Sequence, residues 1–141
     1  MINLIDYIIK KTDNKLYIAE EHNYLVKDQS FQKFINKILI IQLTNLTALE
    51  ISTKKLFNFK NKIPLYLDSN NLLMCINSYR LTNSIYINYF AITSYESVNK
   101  DLYIYFRRGH CLKITGNHAF KSQINKCKQI LNKTRKSNVL I

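Results

Sequence analysis

The side chains best able to do chemistry here are cations. Arg80 lies in a polar stretch between two apolar runs, and Arg107 and Arg108 precede a glycine between two strand-like runs. Arginine carries a planar fork that matches phosphate geometry, and it enters narrow A/T-rich minor grooves favourably. Lys62, Lys113, Lys121 and Lys128 surround these arginines in sequence. Ammonium groups of this kind bind polyanions by point charge, without reading sequence. Ten Tyr and no Trp raise base stacking as a second chemistry, with Tyr86, Tyr89, Tyr103 and Tyr105 as candidates. Tyr also favours half-buried strands for reasons of packing alone.

Other chemistries are poorly served. The nine acids are scattered, and no pair has a spacing that predicts general acid/base work. His22, His110 and His118 cannot be grouped with Cys75, Cys111 and Cys127 by any metal-ligand spacing. Two Gly in the whole chain are too few for a phosphate-binding loop. No enzyme activity, metal or cofactor is expected. An odd number of widely spaced cysteines argues against a disulfide framework. Cys127 reads as a small core residue.

The charge is large and unevenly spread. The chain has 141 residues and a formal charge of +12. Residues 1–70 hold ten Lys against seven acids, a balance of +3, and residues 71–141 hold seven Lys and four Arg against two acids, a balance of +9. Such an excess attracts polyanions at long range: DNA, RNA or an anionic membrane surface. The apolar runs are too short to span a membrane, and the first six residues lack a secretory pattern. The default location is cytoplasmic.

These side chains need elements to carry them. Tyr7–Lys10 and Lys15–Ile18 flank Thr12-Asp13-Asn14, which predicts a hairpin. The Ile/Phe-rich stretch from Phe31 to Leu43 predicts one or two further strands. Asn45–Phe57 approaches a helical period with Asn45 as N-cap. Pro64 leads into a strand at Leu65–Leu67, and Leu72–Ile76 is a short apolar strand. Asn77–Ser84 reads as a loop and Ile85–Thr93 as one strand. Asp101–Phe106 and Cys111–Ile114 form a hairpin in which Gly109 supplies positive φ. Leu102, Ile104 and Phe106 are the better candidates for its core face than Tyr103 and Tyr105. Phe120, Ile124, Cys127 and Leu131 form one apolar stripe of a C-terminal helix, with Asn117 as its cap. The expected class is α+β: an antiparallel twisted sheet or partial barrel, in an order compatible with a pleckstrin-homology-like arrangement, with one early helix and a long C-terminal helix. One domain is expected over residues 1–135, with a frayed tail at 136–141.

The order of features from residue 62 onward resembles the competence transcription factor (ComK) family. The residues concerned are the strand Lys62-Ile-Pro-Leu-Tyr-Leu-Asp68, then Leu72–Ile76, a Ser78-Tyr-Arg80 loop and Ile85-Tyr-Ile-Asn88. Phe106-Arg-Arg-Gly109 follows, and Asn117-His-Ala-Phe120-Lys-Ser-Gln123 opens a helix. The resemblance implies a DNA-binding activator of DNA-uptake genes that recognises A/T-rich boxes partly through the minor groove. It further implies a homodimer, RNA polymerase as a partner, and a short divergent paralogue in which the family's longer tail has no counterpart. The DNA-contacting set would be Lys62, Arg80, Arg107, Arg108, Lys113, Lys121 and Lys128. Two other readings stay open: a basic pleckstrin-like module for anionic lipid or a protein partner, and an RNA-binding protein.

Overall fold

A computed structural model describes residues 4–11, 13, 15–20, 23–77, 84–107, 109–116 and 119–139. The strands are β1 (Ile5–Lys10), β2 (Leu16–Glu20), β3 (Asn23–Lys27), β4 (Leu65–Asp68), β5 (Asn71–Asn77), β6 (Ser84–Asn88), β7 (Ile92–Val98), β8 (Asp101–Phe106) and β9 (Cys111–Thr115). The helices are α1 (Phe31–Leu39), α2 (Leu46–Phe57) and α3 (Phe120–Val139). The strands make a six-stranded antiparallel sheet, β3-β2-β1-β6-β5-β4, and a three-stranded one, β7-β8-β9. The α+β class expected from sequence holds; among the described residues the strands form these two sheets and no closed barrel.

The central strands of the six-stranded sheet are buried on both faces, while the edge strand β3 is largely exposed. One face packs Ile8, Leu16, Ile18, Leu67 and Leu73 against Phe31, Ile35, Ile38 and Leu39 of α1. The other packs Leu72, Met74, Ile76, Ile85 and Ile87 against Leu102, Ile104 and Phe106 of β8 and against Phe120, Ile124, Cys127 and Ile130 of α3. That is why β5 reads as an uninterrupted apolar run: a strand covered on both sides has no polar alternation to show. In β1 the register shifts between Ile5 and Tyr7, so Ile5 and Ile8 serve one core and Tyr7 the other. The core face of β8 is the one expected, with Leu102, Ile104 and Phe106 buried.

Two expectations fail. Phe31 to Leu43 is a helix and a 3-10 turn (Ile40–Gln42), with no strand. Phe31, Ile35, Ile38 and Leu39 fall at i, i+4, i+7 and i+8, and the Ser30 hydroxyl accepts from Lys33 N–H at 3.2 Å. Periodicity and cap outweigh the strand-favouring composition. Ile85–Thr93 is likewise not one strand. β6 ends at Asn88, a 3-10 turn spans Tyr89–Ala91, and β7 begins in the other sheet at Ile92. The helix at Asn45 does form as expected, with Asn45 Oδ1 accepting from Ala48 N–H at 2.8 Å. Asn117 and most of the 77–84 loop lie outside the described residues, and the α3 backbone runs on to Val139.

Asn88 is where the elements meet. It is fully buried. Its Oδ1 accepts from Leu72 N–H at 3.0 Å and Phe90 N–H at 3.1 Å. Its Nδ2 donates to Ile5 O at 2.7 Å, Asn70 O at 2.9 Å and Asn71 Oδ1 at 3.0 Å. Asn71 Oδ1 also accepts from Ile5 N–H at 3.0 Å. The sheets are joined a second time at His110, whose Nδ1 lies 2.9 Å from Tyr24 Oη and whose Nε2 lies 3.8 Å from Asp6 Oδ2. Replacing Asn88 by Ala strips partners from several buried backbone groups at once. We expect Asn88→Ala to lower unfolding stability by about 3 kcal/mol in a urea titration; a loss near zero would show that the hub is dispensable.

Candidate nucleic-acid interface

Four lysines converge on one groove of about 510 Å³, lined by Lys10, Lys54, Lys60 and Lys62 with Glu50 as the one acid among the described lining residues. Each lysine is exposed and is brought there by a different feature. Lys10 is the last residue of β1, held beside β6 by the Lys10–Ser84 pairing. Lys54 sits in the last turn of α2, where the helix dipole favours a cation. Lys60 and Lys62 come from the connection between α2 and β4. That connection turns twice through left-handed backbone, at Asn58 (φ 59°) and Lys62 (φ 48°). Asparagine tolerates this conformation; for lysine it costs about 1 kcal/mol, which the surrounding contacts must offset.

Those contacts are visible. Phe59 is buried and stacks on Phe57 with ring centroids 5.3 Å apart. Lys126 of α3 donates from Nζ to Asn61 O at 2.8 Å, with its ammonium 5.4 Å from the Phe59 ring centre. Desolvation lowers the Lys126 pKa, and the nearby Lys62 charge lowers it further. Lys126 is thus a positioning residue for the lysine-bearing connection. Like charges that raise each other's energy are stabilised by an incoming anion.

The groove floor is made by Cys75 of β5 and Tyr86 of β6. Burial pushes the Cys75 thiol above its usual range, while Lys62, a hydrogen bond with Tyr86, and Lys10 pull it down. Burial likewise raises the Tyr86 hydroxyl, with Cys75 adding to the effect. Tyr86 stacks on Phe31 at 4.0 Å between ring centroids and 13° between planes, so that face is already occupied.

The expected set is divided by the fold. Lys62 is in the lysine groove. Arg107 is exposed beside the β8–β9 turn, its backbone N–H donating to Ala91 O at 3.1 Å. Gly109 has the positive φ, 100°, expected of that turn. Lys113 is exposed and lies 3.5 Å from the Asp101 carboxylate, so part of its charge is answered locally. Lys121 is exposed on α3. Lys128, also exposed, lines a separate groove with Tyr89, Tyr95 and Ile124. Arg80 and Arg108 lie outside the described residues. Of the stacking candidates, Tyr105 donates to Glu96 Oε1 at 2.7 Å, which raises its hydroxyl to about 12. Among the described residues no cluster of three or more His, Cys, Asp or Glu could hold a metal.

Sequence reasoning missed Lys10, Lys54 and Lys60 because it followed the acid-poor second half, whereas this groove draws its lysines from the first. A local signal existed: from residue 51 to residue 67 there are four lysines and no acid. Lys10 had no such signal, since only strand pairing brings it here.

A family model described as ComK protein matches residues 3–138. No curated protein and no solved structure matches the chain.

The thiols give a direct check of this packing. Cys111 is exposed, Cys75 is half-buried, and burial raises Cys127 to about 12. Since thiolate is the reactive form, iodoacetamide at pH 8 should modify Cys111 first, Cys75 more slowly and Cys127 only on unfolding, as read by mass spectrometry.

Proposed function

The chain belongs to the ComK family, and on that footing we propose that it is a DNA-binding transcription regulator of competence genes. The observation that carries this reading is the groove of four lysines and one glutamate. Each lysine that meets a phosphate releases condensed counterions, and this sequence-independent term sets most of the affinity. Phosphate contacts fix register, so sequence preference must come from elsewhere. In our reading the arginines supply it. Arg107, with Arg80 and Arg108, enters a narrow A/T-rich minor groove, where the negative potential is strongest. Lys113, Lys121 and Lys128 add phosphate contacts at the edge of the footprint. The regulator works in the cytoplasm, binds paired boxes as a homodimer and acts with RNA polymerase. Among the described residues no single helix is long and apolar enough to cross a membrane.

Two variants separate the affinity and selectivity roles. Anisotropy would be measured on an A/T-rich and a G/C-rich duplex across a salt series. Lys60→Gln/Lys62→Gln should weaken both duplexes alike and reduce the log–log salt slope by about 2. Arg107→Ala should cost about 1–3 kcal/mol on the A/T-rich duplex alone, narrowing the ratio between them. Equal binding of the unaltered protein to both duplexes would refute sequence-preferring recognition, and an unchanged salt slope in the double variant would remove the groove from the interface.

A further inference from the structure

The surface around α1 has a second character. Phe34, Ile38 and Ile41 follow one another at i, i+4 and i+7 and line a groove of about 500 Å³ that is separate from the lysine groove. Ile40, Ile41 and Leu43 are 68%, 77% and 94% exposed. Three large aliphatic side chains in four residues is an unusual display for free surface. It is also a fixed display. Leu43 is held in left-handed backbone at φ 60°, a conformation unfavourable for leucine, with its N–H donating to Ile40 O at 3.0 Å. The Gln42 side chain anchors the turn to the Leu67 carbonyl.

The flanks of this seam are charged asymmetrically. One flank, through Ile35, Ile38 and Leu39, packs into the core, and Phe34 packs partly against it. The open flank carries Lys37 and, one turn earlier, Lys33; α1 contains no acid. Lys27 of β3 and Asp68 of β4 complete the charged lining. An i, i+4, i+7 apolar ridge with lysines along its open side is the half-pattern of a helix–helix seam. Its complement is a helix with an apolar stripe and carboxylates beside it. A second copy of this chain would bring its own Lys33 and Lys37 to the contact, and like charges oppose that pairing.

We propose that the α1 seam docks an acidic amphipathic helix of a partner protein. The exposed Ile41 and Leu43, with the half-buried Phe34, take the partner's apolar stripe, and Lys37 and Lys27 take its carboxylates. This site is independent of the lysine groove and of any DNA reading.

The test uses a fluorescein-labelled synthetic 18-residue helix with leucines at i, i+3, i+4 and i+7 and glutamates on the flanks, and a twin with lysines there. The full chain should bind the glutamate helix about tenfold more tightly than the lysine helix. Ile41→Asp and Lys37→Glu should each weaken that binding about tenfold while leaving duplex affinity unchanged. Leu43→Ser, which removes a side chain outside the core, should weaken it without affecting the unfolding midpoint. Equal affinity for the two helices, or undiminished binding by all three variants, would overturn the proposal. So would self-association, seen by light scattering and abolished by Ile41→Asp, without helix binding. Binding only to anionic vesicles would overturn it too and assign the seam to lipid.

Discussion

The fold depends on one buried amide pair. Asn71 and Asn88 have no solvent exposure, and between them they take up the backbone N–H and C=O of Ile5, the N–H of Leu72 and Phe90, and the carbonyl of Asn70. At that point β1 begins, β5 begins and β6 ends, so three central strands would otherwise present unpaired polar backbone inside two hydrophobic cores. A buried donor or acceptor left without a partner costs about 1–3 kcal/mol. Apolar packing alone could not substitute, because it would leave those groups dry and unpaired. By ending β6 and capping the turn at Phe90, Asn88 also sends the chain into the second sheet. The hub is therefore both a hydrogen-bond solution and a topological switch.

From this follows the separation of surfaces. Because the central strands of the six-stranded sheet are covered on both faces, most of their side chains are consumed by packing. Function must sit on what surrounds them. The α2–β4 connection, the end of β1 and the C-terminal turn of α2 give the lysine groove. The α1 helix and its 3-10 turn give the apolar seam. The β8–β9 turn carries Arg107. Each rests on a stiff base: Phe59 and Lys126 under the groove, the Gln42 anchor beneath the seam, and paired strands below the hairpin. Exposed lysines lose side-chain entropy on binding, so a rigid backbone beneath them limits the ordering that binding requires.

Much of this was legible in the sequence, and the rest was hidden for definable reasons. The two hairpins, the Asn45 helix, the core face of β8 and the stripe of α3 each depend on neighbours close in sequence, where period and turn chemistry speak directly. The α1 helix was misread because Ile and Phe favour strands in composition while their spacing favours a helix. The break at Asn88 was invisible because an asparagine among apolar residues looks the same whether it faces solvent or accepts from Phe90 and Leu72. The lysine groove was hidden for a similar reason. Counting by halves favoured residues 71–141, but a groove is assembled by topology, and Lys10 meets Lys54 only because β1 pairs with β6 and α2 packs beside it.

The division between lysine and arginine carries the functional argument further than net charge does. A +12 chain binds any polyanion at low salt, so affinity alone says little about role. What distinguishes a regulator is a sequence-reading term added to the sequence-blind one. Here a cluster of four lysines lies in a groove whose described lining includes no arginine, and the described guanidinium of Arg107 stands at a turn of the other sheet. Point charges that tolerate many geometries suit a backbone of repeating phosphates. A planar donor fork on a short turn suits a narrow groove whose width varies with sequence. Were the two merged into one patch, each change in salt or charge would alter affinity and selectivity together. On the proposed function, their separation would let phosphate contacts set how long the protein stays while the turn sets where, and this is the physical basis on which such a regulator would find its sites against a background of other DNA.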